Sequence, residues 1–300
     1  MADSIKNVTV VGASGNLGSI ILQELLASRL FNIQVLQRNS SSSTFEREIN
    51  VVKADFDSFK SLENALLGQD AIVVALSTTA VASQKLLIDA AISAGVQRFI
   101  PSEFGSDLSN PLTRKLPALA EKTKIRDYLM EKSSTTSLSY TIISNGPFLD
   151  WGLRYKFLLD CSTYKPTIFN SGDTIFSTTS LETIGHAVVA ILKESQETKN
   201  RVIYIEDIKI TQNKLLKLAK EVAPGKPWKI QNIDLDAIIK QSDTKLEQGI
   251  LDYDGFISYI YLSFLDPKYG GAFKRVDNEL LGIKGKTEKD ITELLKKIIE

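Results

Sequence analysis

Two rhythms of apolar residues run along the first half of this chain. Short continuous runs at Val8–Val11, Ile33–Leu36, Ile49–Lys53, Ala71–Leu76, Val96–Ile100 and Leu138–Ser144 predict strands, the most uninterrupted of them buried on both faces. Between them the apolar positions recur every three or four residues. Ser19–Leu30, with Ile20, Ile21, Leu25 and Leu26 on one side, predicts a helix, as do Phe59–Leu67, Val81–Ala94 closed by Gly95, and roughly Pro117–Glu131. Such alternation over residues 1–150 specifies an α/β fold with a doubly wound parallel sheet, which takes ligands outside the carboxyl ends of its strands.

Beyond Trp151 the alternation loosens, and residues 151–300 read as a smaller C-terminal α/β unit that binds substrate. Pro166, Asn170, Gly172 and Asp173 predict a hairpin over Tyr164–Thr174, and Ser180–Leu192 a helix capped by Thr179 or Ser180. Val202–Glu206 is strand-like and suited to return to the main sheet; Gln212–Val222 is helical. Tyr253–Leu265 is rich in rings, with Phe256, Tyr259, Tyr261 and Phe264 at mixed spacing. It reads first as a packing helix, some of whose rings line a pocket for an apolar substrate.

The chemistry begins where the first strand ends, in Gly12-Ala-Ser14-Gly15-Asn16-Leu17-Gly18. A strand emptying through this turn into a helix is the phosphate-binding element of a Rossmann-type sheet: Gly12 allows the bend, Gly15 lets backbone N–H groups approach a pyrophosphate, and Gly18 lets helix and strand pack closely. The spacing is GxxGxxG, unlike the GxGxxG of strictly NAD-specific sites. At the end of the second strand, where a carboxylate would bind a ribose hydroxyl, stand Gln37 and Arg38, followed by Asn39 and Ser40–Ser43. A guanidinium without a neighbouring acid suits a 2′-phosphate, so NADP(H) is the expected cofactor. Ser77 and Thr78 after the fourth strand, and Asn145, Pro147 and Phe148 after the sixth, complete the expected cofactor contacts.

Composition narrows the function classes. In 300 residues, 43% are apolar and 24% charged, with 36 basic and 36 acidic side chains, so nothing draws the chain to nucleic acid or to an anionic membrane. One cysteine, Cys161, excludes an internal disulfide, and the absence of a signal-like or spanning segment makes the cytoplasm the expected compartment. A single histidine, His186, argues against a His-rich metal centre and reads as a packed or half-buried structural residue; no metal is expected. Cys161 reads as a buried thiol, the acids Glu103 and Asp107 as loop stabilisers, and Asp57 as a helix cap. A homodimer stays open, since one chain cannot distinguish a dimer surface from a packed helix.

Four blocks carry a family resemblance: the glycine turn, the run Ala90–Gly105 that ends Arg98-Phe-Ile-Pro-Ser-Glu-Phe-Gly105, Lys122-Thr-Lys-Ile-Arg126, and Ser144-Asn-Gly-Pro-Phe-Leu-Asp-Trp-Gly152. With Asp277–Gly282, they make the chain resemble, over essentially its whole length, the NmrA-like family of atypical short-chain dehydrogenase/reductases. Within it the isoflavone reductase-like branch fits best, particularly its fungal members. The resemblance implies an NADPH-dependent oxidoreductase delivering hydride to a small apolar, aromatic or phenylpropanoid-like substrate. It makes Lys122 the catalytic residue, orienting the nicotinamide ribose and carboxamide and assisting proton transfer. Tyr128-x-x-x-Lys132 has the spacing of an ordinary short-chain dehydrogenase dyad, but Lys132 falls at a helix end and reads as solvent-facing. Asp127 after Arg126, and the Gly146-Pro147 pair, depart from the plant reductases, so their substrates do not carry over. The alternative implied is a non-catalytic NADP(H) sensor acting through a protein partner.

Overall fold

The first hundred and fifty residues lay down six strands: β1 (Asn7–Val11), β2 (Asn32–Arg38), β3 (Asn50–Ala54), β4 (Ala71–Val74), β5 (Arg98–Ile100) and β6 (Ser139–Ser144). Helices α1 (Asn16–Ser28), α2 (Phe59–Leu66), α3 (Gln84–Ser93) and α4 (Ala120–Thr135) connect them. The computed structural model describes residues 5–46 and 48–299. After α5 (Leu149–Arg154) the chain leaves the sheet for β7 (Thr167–Phe169) and β8 (Phe176–Thr178), packs α6 (Leu181–Lys193) on the sheet, and returns as β9 (Arg201–Tyr204). The sheet order is β3-β2-β1-β4-β5-β6-β9, parallel throughout. This is the doubly wound, Rossmann-type architecture, and its order reverses between β1 and β4.

Period-two alternation explains the two-sided core. Val8 and Val10 of β1 join Val35, Val73 and Ile203 against Ile21 and Leu25 of α1 and Ile184 and Val188 of α6. Val11 faces the other way, with Leu36, Ile72, Phe99 and Ile142, against Leu62 and Leu66 of α2, Leu87 and Ile88 of α3, and Ile125 and Leu129 of α4.

The remaining elements, β10 (Ile208–Ile210), α7 (Gln212–Val222), β11 (Gln231–Ile233), α8 (Leu235–Glu247), α9 (Tyr253–Leu265) and α10 (Glu288–Ile299), surround a separate core. It contains Leu149, Leu153, Phe176, Leu215, Tyr259, Phe264 and Leu295. No helix among the described residues is long and apolar enough to cross a membrane.

Several local expectations are corrected. Tyr164–Thr174 is not a hairpin: β7 pairs in parallel with the distant β11, and β8 runs antiparallel to β10. The turn residues are real, with Asn170 at φ 52° and Gly172 at φ 75°, but they redirect the chain between partners instead of folding it back on itself. Ser58, not Asp57, caps α2, accepting from the Ser61 amide at 3.3 Å. Neither Thr179 nor Ser180 caps α6 through its side chain; Asp207 accepts from the Ser180 amide and Asp150 from that of Leu181. The expected helix from Val81 starts as a 3-10 turn over Thr78–Ser83 and becomes α-helical only at Gln84.

Candidate active site

At the carboxyl edge of the sheet, the glycine turn is fixed by close approaches. Gly12 has φ 82°, and a Cβ there would stand 2.2 Å from the Ala75 carbonyl oxygen at the end of β4. A Cβ on Gly18 would lie 2.0 Å from the Gly12 carbonyl. Gly15 differs: the nearest atom to its hypothetical Cβ is 3.4 Å away, so internal packing does not require it. It is the N-cap of α1, whose first turn carries no acidic residue and no side-chain cap. The exposed amide end and positive dipole of this helix therefore suit an anion.

Arg38, exposed at the end of β2, lines a cavity of about 100 Å³ with Gly12, Ser14, Ser41, Phe45, Phe56 and Leu76. Beyond β3, the ring of Phe56 lines this pocket. Two residues past Leu76, Thr78 lines a second and larger cavity of about 640 Å³. One loop, from Leu76 to Thr78, thus contributes to the walls of both cavities. Ser77 is exposed beside Thr78 with its hydroxyl 3.1 Å from that of Thr79.

The motif Pro101–Gly105 organises the main cavity. Ser102 Oγ accepts from the Leu76 amide at 3.0 Å and donates to the Leu76 carbonyl at 2.9 Å, tying the ends of β4 and β5 together. The buried Gln84 accepts from the Ser102 amide at 2.7 Å, which anchors the start of α3 to the same strand end. Phe104 and Gly105 then enter the cavity wall, where a Cβ on Gly105 would stand 4.0 Å from Lys122 Nζ.

Lys122, on the first turn of α4, donates from Nζ to the Glu103 carbonyl at 2.6 Å. One helical turn on, Arg126 reaches the carboxylate of the same residue, Nη1 to Oε1 at 3.2 Å, with both side chains almost wholly buried. Lys122 and Arg126 therefore share a helix face, as their spacing requires, and grip Glu103 from two ends. Burial raises the Glu103 carboxyl to about 7, against the pull of Arg126 and Lys122. Burial lowers the Lys122 ammonium, and the Glu103 charge opposes that fall. Arg126 Nη2 also donates to Ser109 Oγ at 2.8 Å; the Tyr204 hydroxyl lies 2.8 Å from Asp107 Oδ1 and 3.0 Å from Ser109 Oγ. Burial pushes that phenol up to about 12. Glu103 and Asp107 thus hold the loop and its basic partners. Asp127 lies outside the site and takes the exposed Arg114 at 2.7 Å.

The opposite wall comes from the turn after β6 and from α9. Gly146, Pro147 and Phe148 line the cavity, and Gly146, at φ 65°, would place a Cβ 2.1 Å from the Ser177 carbonyl. Asn145 lies beneath them, fully buried, with Nδ2 donating to the Gly146 carbonyl at 2.7 Å and Oδ1 without a hydrogen-bond partner. On α9, Phe256, Ile257, Ile260, Tyr261 and Phe264 share one helical face and line the cavity. Tyr259 points away, buried, with its hydroxyl on Asp243 at 2.6 Å. Trp151, Tyr155, Lys156 and Phe157, none singled out individually by sequence reasoning, complete the wall; Phe157 stacks on Tyr261 at 4.8 Å.

The rival groups lie elsewhere. Tyr128 donates to Asp89, burial raises its pKa to about 12, and the Lys132 ammonium sits over its ring at 5.1 Å; neither lines the cavity. His186 is not packed: its side chain is 55% exposed and Nε2 meets Glu24 Oε2 at 2.9 Å on the surface. The thiol of Cys161 is buried and raised to about 12.

A family model described as the NmrA-like family matches residues 4–256. The chain belongs to the NmrA-like family. Among NmrA-like relatives, oxidoreductase aprR of Aspergillus flavus is 36% identical over 248 residues, covering 81% of this chain and 82% of its own. Oxidoreductase poxI of Penicillium oxalicum is 31% identical over 250 residues, covering 81% and 78%. The structure of AtPrR2 with NADP+ and (+)-pinoresinol superimposes with a TM-score of 0.81 over 100% of both chains at 21% identity, a likeness of fold.

Proposed function

We propose that this NmrA-like chain is an NADPH-dependent reductase acting on a small apolar, aromatic substrate, with Lys122 assisting. The single observation that carries the reading is the half-buried Lys122 amine set in an aromatic-walled cavity whose lining includes Thr78, two residues past the Leu76 that lines the Arg38 pocket beside the glycine turn. The 36% identity to an oxidoreductase, and the fold shared with AtPrR2, whose structure holds NADP+ and (+)-pinoresinol, support it.

The residues present fit the cofactor. Backbone packed closely on Gly12 and Gly18 fixes the turn, the open end of α1 at Gly15 suits a pyrophosphate, and the Arg38 guanidinium suits a 2′-phosphate. When bound, reduced nicotinamide supplies the hydride. Lys122 is held toward the cavity by the Glu103 carbonyl, so its ammonium can donate a hydrogen bond to a substrate oxygen that gains negative charge, and then a proton. Its lowered pKa eases that donation. Rings from α5 and α9 exclude water from the reacting carbon.

The test is NADPH oxidation with a panel of aryl-conjugated carbonyls and benzylic ethers, together with calorimetry for NADP+ and NAD+. Turnover that Lys122→Ala abolishes supports the reductase. Tight NADP+ binding without turnover of any panel member would point to the sensor, against which the placement of Lys122 in an aromatic cavity argues. Absence of NADP+ binding to folded protein would sink both.

A further inference from the structure

The inner end of the cavity is accounted for by Lys122, but its mouth is not. Resting on the reductase reading, we propose that the substrate is an arene bearing a carboxylate, with its ring against α9 and its charge at Lys156. Among the described residues that line the cavity, the charged ones are Lys122 and Lys156; no carboxylate is among them. An apolar wall carrying two cations is a poor match for a neutral hydrocarbon alone and a good one for an aromatic anion.

Lys156 occupies an unusual place for a long side chain. Its backbone is left-handed, at φ 63°, a conformation usually left to glycine or asparagine, and this sets the lysine beside Tyr155 at the end of α5. Its ammonium forms an ion pair with Asp160 Oδ2 at 3.6 Å, longer than a hydrogen bond. That carboxylate is already occupied by the Thr163 amide at 3.0 Å, the Thr163 hydroxyl and the Ser162 hydroxyl at 3.3 Å. The other acid at this end, Asp252, is held by Lys245 at 2.6 Å. The Lys156 ammonium therefore keeps donors for a ligand, and two exposed phenols of the lining, Tyr155 and Tyr253, stand with it. The ring of such a ligand would extend the Phe157–Tyr261 stack beside Phe256.

Calorimetry on the full chain saturated with NADP+ tests this, using 2-naphthoate against its neutral isostere 2-naphthamide. The acid should bind about tenfold more tightly, as one charge-assisted contact provides. Lys156→Gln should erase the preference while leaving naphthamide affinity within about twofold, and Lys156→Arg should retain it. Equal affinities, tighter amide binding, binding of neither probe, or an undiminished preference in Lys156→Gln overturns the proposal. Neither probe is reduced in this experiment, so the two readings fail separately. Protein that holds naphthoate at Lys156 yet oxidises no NADPH loses the reductase reading alone, whereas turnover of neutral arenes with no preference for acids loses this one alone.

Discussion

The two cavities at the carboxyl edge of the sheet are built on opposite principles. At the Arg38 end the shape is made by backbone: Gly12 and Gly18 sit where a single Cβ would collide with a carbonyl oxygen at 2.2 and 2.0 Å. At the Lys122 end it is made mainly by side chains, from Thr78 and the stretches 104–106, 118–122, 146–157 and 253–264. A backbone turn tolerates almost no substitution, so any discrimination there falls to the Arg38 side chain. A wall of rings can be rebuilt residue by residue.

The sharpest way to break that comparison is at the glycines. Gly12→Val and Gly18→Val should abolish soluble, cooperatively melting protein, because the colliding atoms are backbone and cannot move aside. Gly15→Ala should leave the melting temperature within about 3 °C yet weaken NADP+ binding by about tenfold in calorimetry. A Gly15→Ala protein that binds NADP+ normally would remove the turn from the cofactor site.

At the other end, Lys122→Ala should lower kcat by about 10²- to 10⁴-fold while changing the NADP+ dissociation constant far less, as steady-state kinetics and titration would show. Two substitutions on α9 separate wall from core. Tyr259→Ala should destabilise the fold by about 3 kcal/mol in denaturant melts, whereas Phe256→Ala should raise KM and leave the melt almost unchanged. Arg38→Ala should reduce the preference for NADP+ over NAD+ by about 10- to 100-fold.

The smallest effect expected is a pH dependence. Burial raises Glu103 to about 7 in the folded protein, above the ordinary 4.5 it regains on unfolding. Its contribution to stability is therefore fully present below about pH 4.5 and is lost as pH rises through 7. Melting curves between pH 5 and 8 should decline by on the order of 5 °C more in the wild type than in Glu103→Gln. An identical slope in the two proteins would mean that Arg126 keeps the carboxyl ionised throughout.

What the sequence disclosed follows the same division. The strand runs and the glycine turn are local patterns, and β1, α1 and the close approaches of Gly12 and Gly18 lie where those patterns put them. The helix bearing Lys122 was legible too, at roughly Pro117–Glu131 against Ala120–Thr135 observed, while Lys122 itself was marked by the family resemblance. The Glu103 network was not. Tyr204 reaches Asp107 across 97 residues, and nothing in either neighbourhood signals the meeting. The false hairpin at 164–174 has the same cause: turn residues announce that the chain bends, while only tertiary pairing decides which strand it meets. Ring density marked α9, but which rings face the cavity was settled by helical phase, and this separates Tyr261 from Tyr259.

The return of the chain as β9 has a consequence for how such a protein can be altered. Its last sheet strand lies beyond the excursion that carries Trp151, Tyr155 and Lys156, and Arg201 and the Tyr204 amide are fastened to Asp277 at 2.7 and 2.9 Å. The wall over the substrate is thus sewn at both margins into the nucleotide-holding sheet, like a pocket stitched to a coat. Neither piece can be exchanged between relatives as a cassette; new selectivity must be written into single side chains while the seam stays closed.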